Sequence, residues 1–148
     1  MTTWKQFAQG DPALAAYGSE RLAGRVAYLA TVRPDGGPRV YPVTPIISQE
    51  ELFIFMEPTS PKGHDLRRDG RYALHCGVED NSGGAGEFSI SGRATLVEAP
   101  AMRAAAIQSA GYAPKDRYIL FALSVEQAAA ITYEGDQTLR RRWRAVAD

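Results

Sequence analysis

The sequence is poor in the residues that build metal centres and covalent staples. It has one cysteine and two histidines in 148 residues. Cys76 alone forms neither an intrachain disulfide nor a multi-cysteine zinc site. His64 and His75, with no acidic cluster at ligand spacing, argue against a metal site. An excess of charge is also missing, because 17 Lys and Arg cancel 17 Asp and Glu. No overall field draws the chain to nucleic acid or to an anionic membrane, so neither is an expected partner. The longest apolar stretches, around residues 26–32 and 52–56, are far shorter than the roughly 20 residues a membrane-spanning helix needs. The opening Met1-Thr2-Thr3-Trp4-Lys5 lacks the basic and apolar regions of a signal peptide, and a cytoplasmic location is the expectation.

Motifs that place phosphates or nucleophiles on defined turns are absent too: GxGxxG after a strand, a Walker loop, HExxH and GxSxG. The cluster Gly83-Gly84-Ala85-Gly86 opens a strand and lacks the third glycine of a nucleotide motif, so it reads as a flexible loop. His75 and Cys76 are adjacent in a strand-like run and point to opposite faces, which excludes a nucleophile–base dyad. No catalytic residue can be assigned.

What is present is the composition of one ordinary globular domain over residues 1–148, with 45% hydrophobic and 23% charged residues. A chain of 16.1 kDa is expected to expose roughly 7,400 Å² when folded, about a third of its unfolded area. Residues 1–24 read as helical: Asp11 can cap, Pro12 suits the first helical position, and 13–23 are mostly good helix formers before Gly24, although Gly18 weakens the run. Tyr28-Leu29-Ala30-Thr31-Val32 and Arg39-Val40-Tyr41-Pro42-Val43-Thr44 flank Pro34-Asp35-Gly36-Gly37-Pro38, a hairpin signal. Further strands are expected at 51–56, 71–78, 87–96, 118–123 and 129–133, and a helix at 100–110. Gly92, in the middle of the cleanest alternating strand, suggests a bulge or a close backbone approach. Many short strands with few helices imply a mainly-β, small antiparallel barrel.

The segment Thr59-Ser60-Pro61-Lys62-Gly63-His64-Asp65 is chemically the most informative. Thr59 or Ser60 can cap a short helix, Pro61 fits its first position, and Lys62 then stands in the first turn. A lysine is unfavourable at that positive helix end unless an anion is bound there, so the turn reads either as a phosphate cradle or as a solvated surface turn. Arg39 shares a strand face with Tyr41 and Val43 and could lie beside this turn, or make a surface ion pair. The tail Leu139-Arg140-Arg141-Arg142-Trp143-Arg144 can be a solvated terminal strand. Trp143 needs a packing surface, for which a planar ligand or a partner subunit is a candidate.

Taken in order, Tyr28 to Gly36, Arg39 to Val43, Ser60-Pro61-Lys62 leading into Asp65-Leu66-Arg67-Arg68-Asp69, and Ser91-Gly92-Arg93-Ala94 resemble the flavin-binding split-barrel family that includes pyridoxamine 5'-phosphate oxidase. The resemblance implies a six-stranded antiparallel Greek-key split β-barrel with a few peripheral helices. It also implies a homodimer with FMN at the subunit interface. Ser60, Pro61 and Lys62 would meet the FMN phosphate, and Arg39 the phosphate or ribityl chain. The backbone of Arg39, Val40, Tyr41, Pro42 and Val43 would meet the isoalloxazine edge, and Phe55 and Met56 match positions facing the flavin. Glu87 stands where the oxidase has a flavin-contacting glutamine, and a carboxylate cannot donate as an amide does. The oxidase's C-terminal signature, an arginine and a histidine separated by one residue, is missing after Leu139. The resemblance thus implies a flavin-dependent oxidoreductase acting on a small molecule. A deazaflavin-dependent reductase on the same fold is the alternative, and a non-enzymatic flavin or haem protein, with His64 or His75 as axial candidates, is a third.

Overall fold

The structure is a computed structural model and describes residues 1–82 and 84–146. Gly83, one member of the glycine cluster, lies outside the described residues. The chain opens with two helices, α1 (Trp4–Gly10) and α2 (Pro12–Leu22). Asp11 separates them and caps the second, accepting from the Leu14 amide at 3.2 Å, with Pro12 at the first helical position.

Nine strands follow among the described residues: β1 (Ala27–Val32), β2 (Pro38–Val43), β3 (Ile46–Ile47), β4 (Leu52–Met56), β5 (Arg71–Cys76), β6 (Glu87–Leu96), β7 (Ile119–Leu123), β8 (Gln127–Glu134) and β9 (Gln137–Arg144). Helix α3 (Pro61–Arg68) joins β4 to β5, and α4 (Pro100–Ser109) joins β6 to β7. The strands run β2-β1-β5-β6-β7-β4-β3, with β8 and β9 added beside β6, and the pairings are antiparallel. The result is the mainly-β curled half-barrel with few helices expected of a split barrel. It has more than six strands because the two-residue β3 and the β8–β9 hairpin extend the sheet.

Strand β6 is where the sheet curls. Its first half pairs with β5 on one edge and β8 on the other, and its last residues, Ala94 to Leu96, pair with β7. At the crossing a Cβ on Gly92 would lie 2.2 Å from the Ser124 carbonyl oxygen, so only glycine lets the two backbones approach. Gly18 serves the same purpose for α2: a Cβ there would fall 2.4 Å from the Phe88 ring, and its absence lets the helix lie flat on β6.

The alternating residues of β1, β5 and β6 turn Leu29, Leu74, Phe88 and Ile90 inward, where they form the main core with Phe7, Leu14 and Leu22 of the helices. A second, smaller core of Ile46, Phe53, Phe55, Ala106 and Leu120 lies under α4. Cys76 is buried in the main core, and His75 is half-buried on the opposite face of β5. No helix among the described residues is long and apolar enough to cross a membrane.

Candidate functional site

Helix α3 begins as the sequence indicates. The Ser60 Oγ accepts from the Gly63 amide at 3.2 Å, and Pro61 takes the first helical position. Because Ser60 caps with a lone pair, its hydroxyl hydrogen stays available to an acceptor. Lys62 is half-buried, with its Nζ 5.0 Å from the centroid of the Tyr41 ring. Burial pushes the Lys62 ammonium below its ordinary pKa, and no ion pair among the described residues includes it. A half-buried cation held over an aromatic face is partly stripped of its water, which suits it to an anionic partner.

One helical turn on, Asp65 is 1% exposed. Its Oδ2 accepts from the Thr31 hydroxyl at 2.8 Å and from the Arg39 Nε at 2.7 Å, and its Oδ1 accepts from the Arg68 guanidinium at 3.2 Å. Burial alone would raise this carboxyl, but the bonds from Thr31, Arg39 and Arg68 outweigh it and hold the pKa below the ordinary carboxylate value. Arg68 also donates to the Val32 carbonyl, fastening the helix to the end of β1.

Helix α3 and strand β2 therefore meet at two rungs. Lys62 and Asp65 are three apart on the helix, Arg39 and Tyr41 are two apart on the strand, and both spacings keep each pair on one face. The helix periodicity matches the strand periodicity, so Lys62 sits on Tyr41 while Asp65 holds Arg39. The two rungs stand roughly 7 Å apart along β2, and they place Arg39 and Lys62, from distant segments, at one face of the strand. The sequence places Arg39 beside this turn only as a possibility. The pairing of Arg39 with Asp65, the support from Thr31 and Arg68, and the contact of Tyr41 with Lys62 are not read from the sequence. The signal that could have found them is the coincidence of an i, i+3 pair and an i, i+2 pair of complementary chemistry.

The same alternation divides the other expected residues. Val43 is buried facing inward, whereas Val40 is 65% exposed and Pro42 is exposed on the opposite face. Strand β2 ends the sheet order, so one backbone edge has no strand partner. Pro38 and Pro42, which lack an amide donor, fit that edge position. Phe55 and Met56 are both buried and point oppositely, Phe55 into the α4 cluster and Met56 into the main core beneath Gly63. Their side chains do not face an open site, so only their backbone or the shape they impose can bear on a ligand.

Glu87 and Trp143 lie elsewhere. Glu87 opens β6, seven residues before Ala94, whose amide donates to the Gly70 carbonyl just beyond α3. That separation is roughly 20 Å along the strand. Trp143 packs within the chain, with its ring 4.9 Å from that of Phe7 and its edge against Gly10. The chain itself thus gives Trp143 a packing surface. Both residues border the β8–β9 hairpin, where an open trough of about 550 Å³ is lined by Ala73, Ser89, Ser91, Ala129, Arg142 and Trp143. Arg141 turns away from the trough and makes a bidentate pair with Asp11.

The cradle can be tested against a phosphorylated flavin by its donors. Lys62, the Ser60 hydroxyl and Arg39 suit a phosphate, and the free backbone edge of β2 offers amide donors and carbonyl acceptors suited to the amide edge of a ring. The donor set fits FMN.

A curled antiparallel half-barrel with a cationic turn beside its edge strand is the architecture of the split-barrel class. The family model described as pyridoxamine 5'-phosphate oxidase matches residues 19–132, and the chain belongs to that family. Among solved structures it is similar to a pyridoxamine 5'-phosphate oxidase-related, FMN-binding protein from Nostoc punctiforme, at 17% identity and a TM-score of 0.68, covering 95% of this chain and 92% of that one. A haem-binding protein from Mycobacterium smegmatis shows 18% identity and a TM-score of 0.66, covering 83% of this chain and 55% of that one. The chain thus spans about half of that protein's length. A NimC/NimA family protein from Clostridium acetobutylicum shows 15% identity and a TM-score of 0.66 over 95% of this chain and 96% of that one. No curated protein matches the chain. At these identities the structural likenesses establish the fold.

Proposed function

We propose that the chain binds FMN as a homodimer and acts as a flavin-dependent oxidoreductase on a small molecule. The observation that carries this reading is the pair of rungs between α3 and β2, which brings Lys62 and Arg39 together beside the Ser60 cap and the open edge of β2. Ser60, Lys62 and Arg39 would hold the phosphate, and the backbone from Arg39 to Val43 would meet the ring. Bound FMN supplies hydride or electron transfer, and the protein supplies orientation and electrostatics.

Two features of the single chain support homodimerisation. Its accessible surface is 8438 Å², roughly 1,000 Å² above that of a compact monomer of this mass. The outward sheet face also exposes Val40 at 65% and Tyr28 at 48%, apolar groups that a second copy would cover. Glu87, at the end of β6 away from Ala94 and α3, would contribute to a shared site from the partner.

A deazaflavin cofactor also carries a phosphate and remains the alternative occupant, with the reductase chemistry that implies. One further observation favours a haem-binding reading. His75 Nδ1 lies 2.7 Å from the Cys76 carbonyl, an acceptor only, which leaves Nε2 as the ring nitrogen that a haem iron would meet.

The test is the absorption spectrum of the purified protein followed by separate titrations with FMN, the deazaflavin cofactor and haemin. Tight FMN binding with a yellow flavin spectrum supports the proposal. Binding of the deazaflavin alone transfers it to the alternative, and a Soret band lost in His75→Ala transfers it to haem. Binding of none of the three overturns it.

A further inference from the structure

We infer that Asp65 is the positioning residue of the phosphate cradle: it orients the Arg39 guanidinium, and so gives the site its preference for a phosphorylated flavin over the same ring without phosphate. The inference rests on the FMN-binding reading above and adds the residue that sets its specificity.

A carboxylate 1% exposed beside an anion site is a paradox by charge alone, since it repels what the site must bind. Its contacts resolve it. Asp65 Oδ2 takes the Nε hydrogen of Arg39 at 2.7 Å, with Thr31 Oγ at 2.8 Å as a second donor fixing the same oxygen. A guanidinium has five N–H groups in a rigid plane. Engaging it through Nε leaves both terminal nitrogens, with four N–H groups, outside the ion pair. The plane of that fork is set by an atom that cannot itself move, because Asp65 is tied to β1 through Thr31 and to its own helix through Arg68. Thr31, Arg39 and Lys62 come from three separate elements, and Asp65 is bonded to the first two and shares α3 with the third. A phosphate monoester is recognised well by such a preset fork and less well by a freely rotating side chain.

The experiment measures the affinities of the full-length protein for FMN and for riboflavin, by flavin fluorescence quenching, in wild type, Asp65→Asn and Arg39→Lys. The asparagine keeps the shape and removes the charge. The lysine keeps a cation on β2 and removes the fork. Wild type should prefer FMN over riboflavin by at least tenfold. In both variants the FMN affinity should fall about tenfold with riboflavin affinity unchanged, which a general loss of structure would not produce. In an Arg39→Ala background, Asp65→Asn should have no additional effect on the FMN to riboflavin ratio. An unchanged ratio in Asp65→Asn, or tighter FMN binding once the negative charge is gone, overturns the positioning role while leaving FMN binding standing. A wild type indifferent to the phosphate overturns the cradle reading and this inference with it. If Asp65→Asn does not fold, Arg39→Lys decides: a retained ratio overturns the proposal, and a lost one supports it.

Discussion

Lys62 occupies a position where an α-helix ordinarily carries an acid, and its surroundings account for that. Its ammonium is half-buried over Tyr41 and joins no ion pair among the described residues, so a phosphate would gain a partner already stripped of much of its water. Lys62→Ala should weaken FMN binding by about 1.5–3 kcal/mol, the range for hydrogen bonds to charged groups, with thermal stability nearly unchanged. Isothermal titration beside a melting curve checks it, and equal FMN affinity in the variant contradicts the assignment. The aspartates set a second expectation. The Asp11 carboxyl is lowered by its bond from Arg141, Asp69 is held down to about 2 by Arg71, and Asp65 stays low despite burial. Groups depressed in the folded state contribute stability that is complete above the ordinary carboxylate range and is lost as pH falls through their folded values. Glu51, raised by burial and by Glu50, acts in the opposite sense and offsets part of this. Urea midpoints should therefore hold level down to about pH 5 and decline from there toward pH 2. A midpoint undiminished at pH 2.5 would show that these pairs contribute nothing net.

At the scale of elements, local signals were sufficient wherever the chain's neighbours in sequence are also its partners. Asp11 and Pro12 start α2, and Ser60 and Pro61 start α3, each with the cap hydrogen bond in place. The β1–β2 hairpin closes on Pro34 to Pro38 with Ala27 opposite Val43. The two residues of β3 carry no periodicity, whereas the strand expected at 129–133 and the solvated terminal strand at 139–144 are both present, paired as the β8–β9 hairpin. Gly92 was readable as a close approach, although which backbone approaches was not: it is Ser124, at the turn from β7 towards β8. Gly92→Ala would drive a methyl group into a carbonyl that cannot retreat without breaking the β6–β7 crossing. A loss of about 3 kcal/mol or more is expected, read as a lowered denaturation midpoint. Retained stability would mean that the crossing yields more readily than its geometry implies.

The whole molecule poses the question of assembly. The exposed apolar groups of β1 and β2 lie on the face opposite Lys62, so the cradle and the proposed contact surface share a strand without sharing side chains. Light scattering should give twice 16.1 kDa for the wild type. Val40→Glu should shift it toward the single-chain mass and weaken FMN binding together with it. A wild type that is monomeric yet binds FMN tightly would remove the interface from the proposal.

The class of fold, and the unusual place of a lysine at the start of α3, are legible in the amino-acid sequence alone. Caps, turns and alternation act over a few residues, and a lysine at a helix N-terminus signals its oddity locally. Tertiary structure alone decided that Arg39 pairs with a buried Asp65, that Lys62 rests on Tyr41, that Trp143 packs on Phe7, and that Glu87 stands far along β6 from the cradle. Each of these depends on how a helix is laid across a strand or where a hairpin folds back. Such placements are fixed by the packing of whole elements against a common core, and no short window of sequence contains that information.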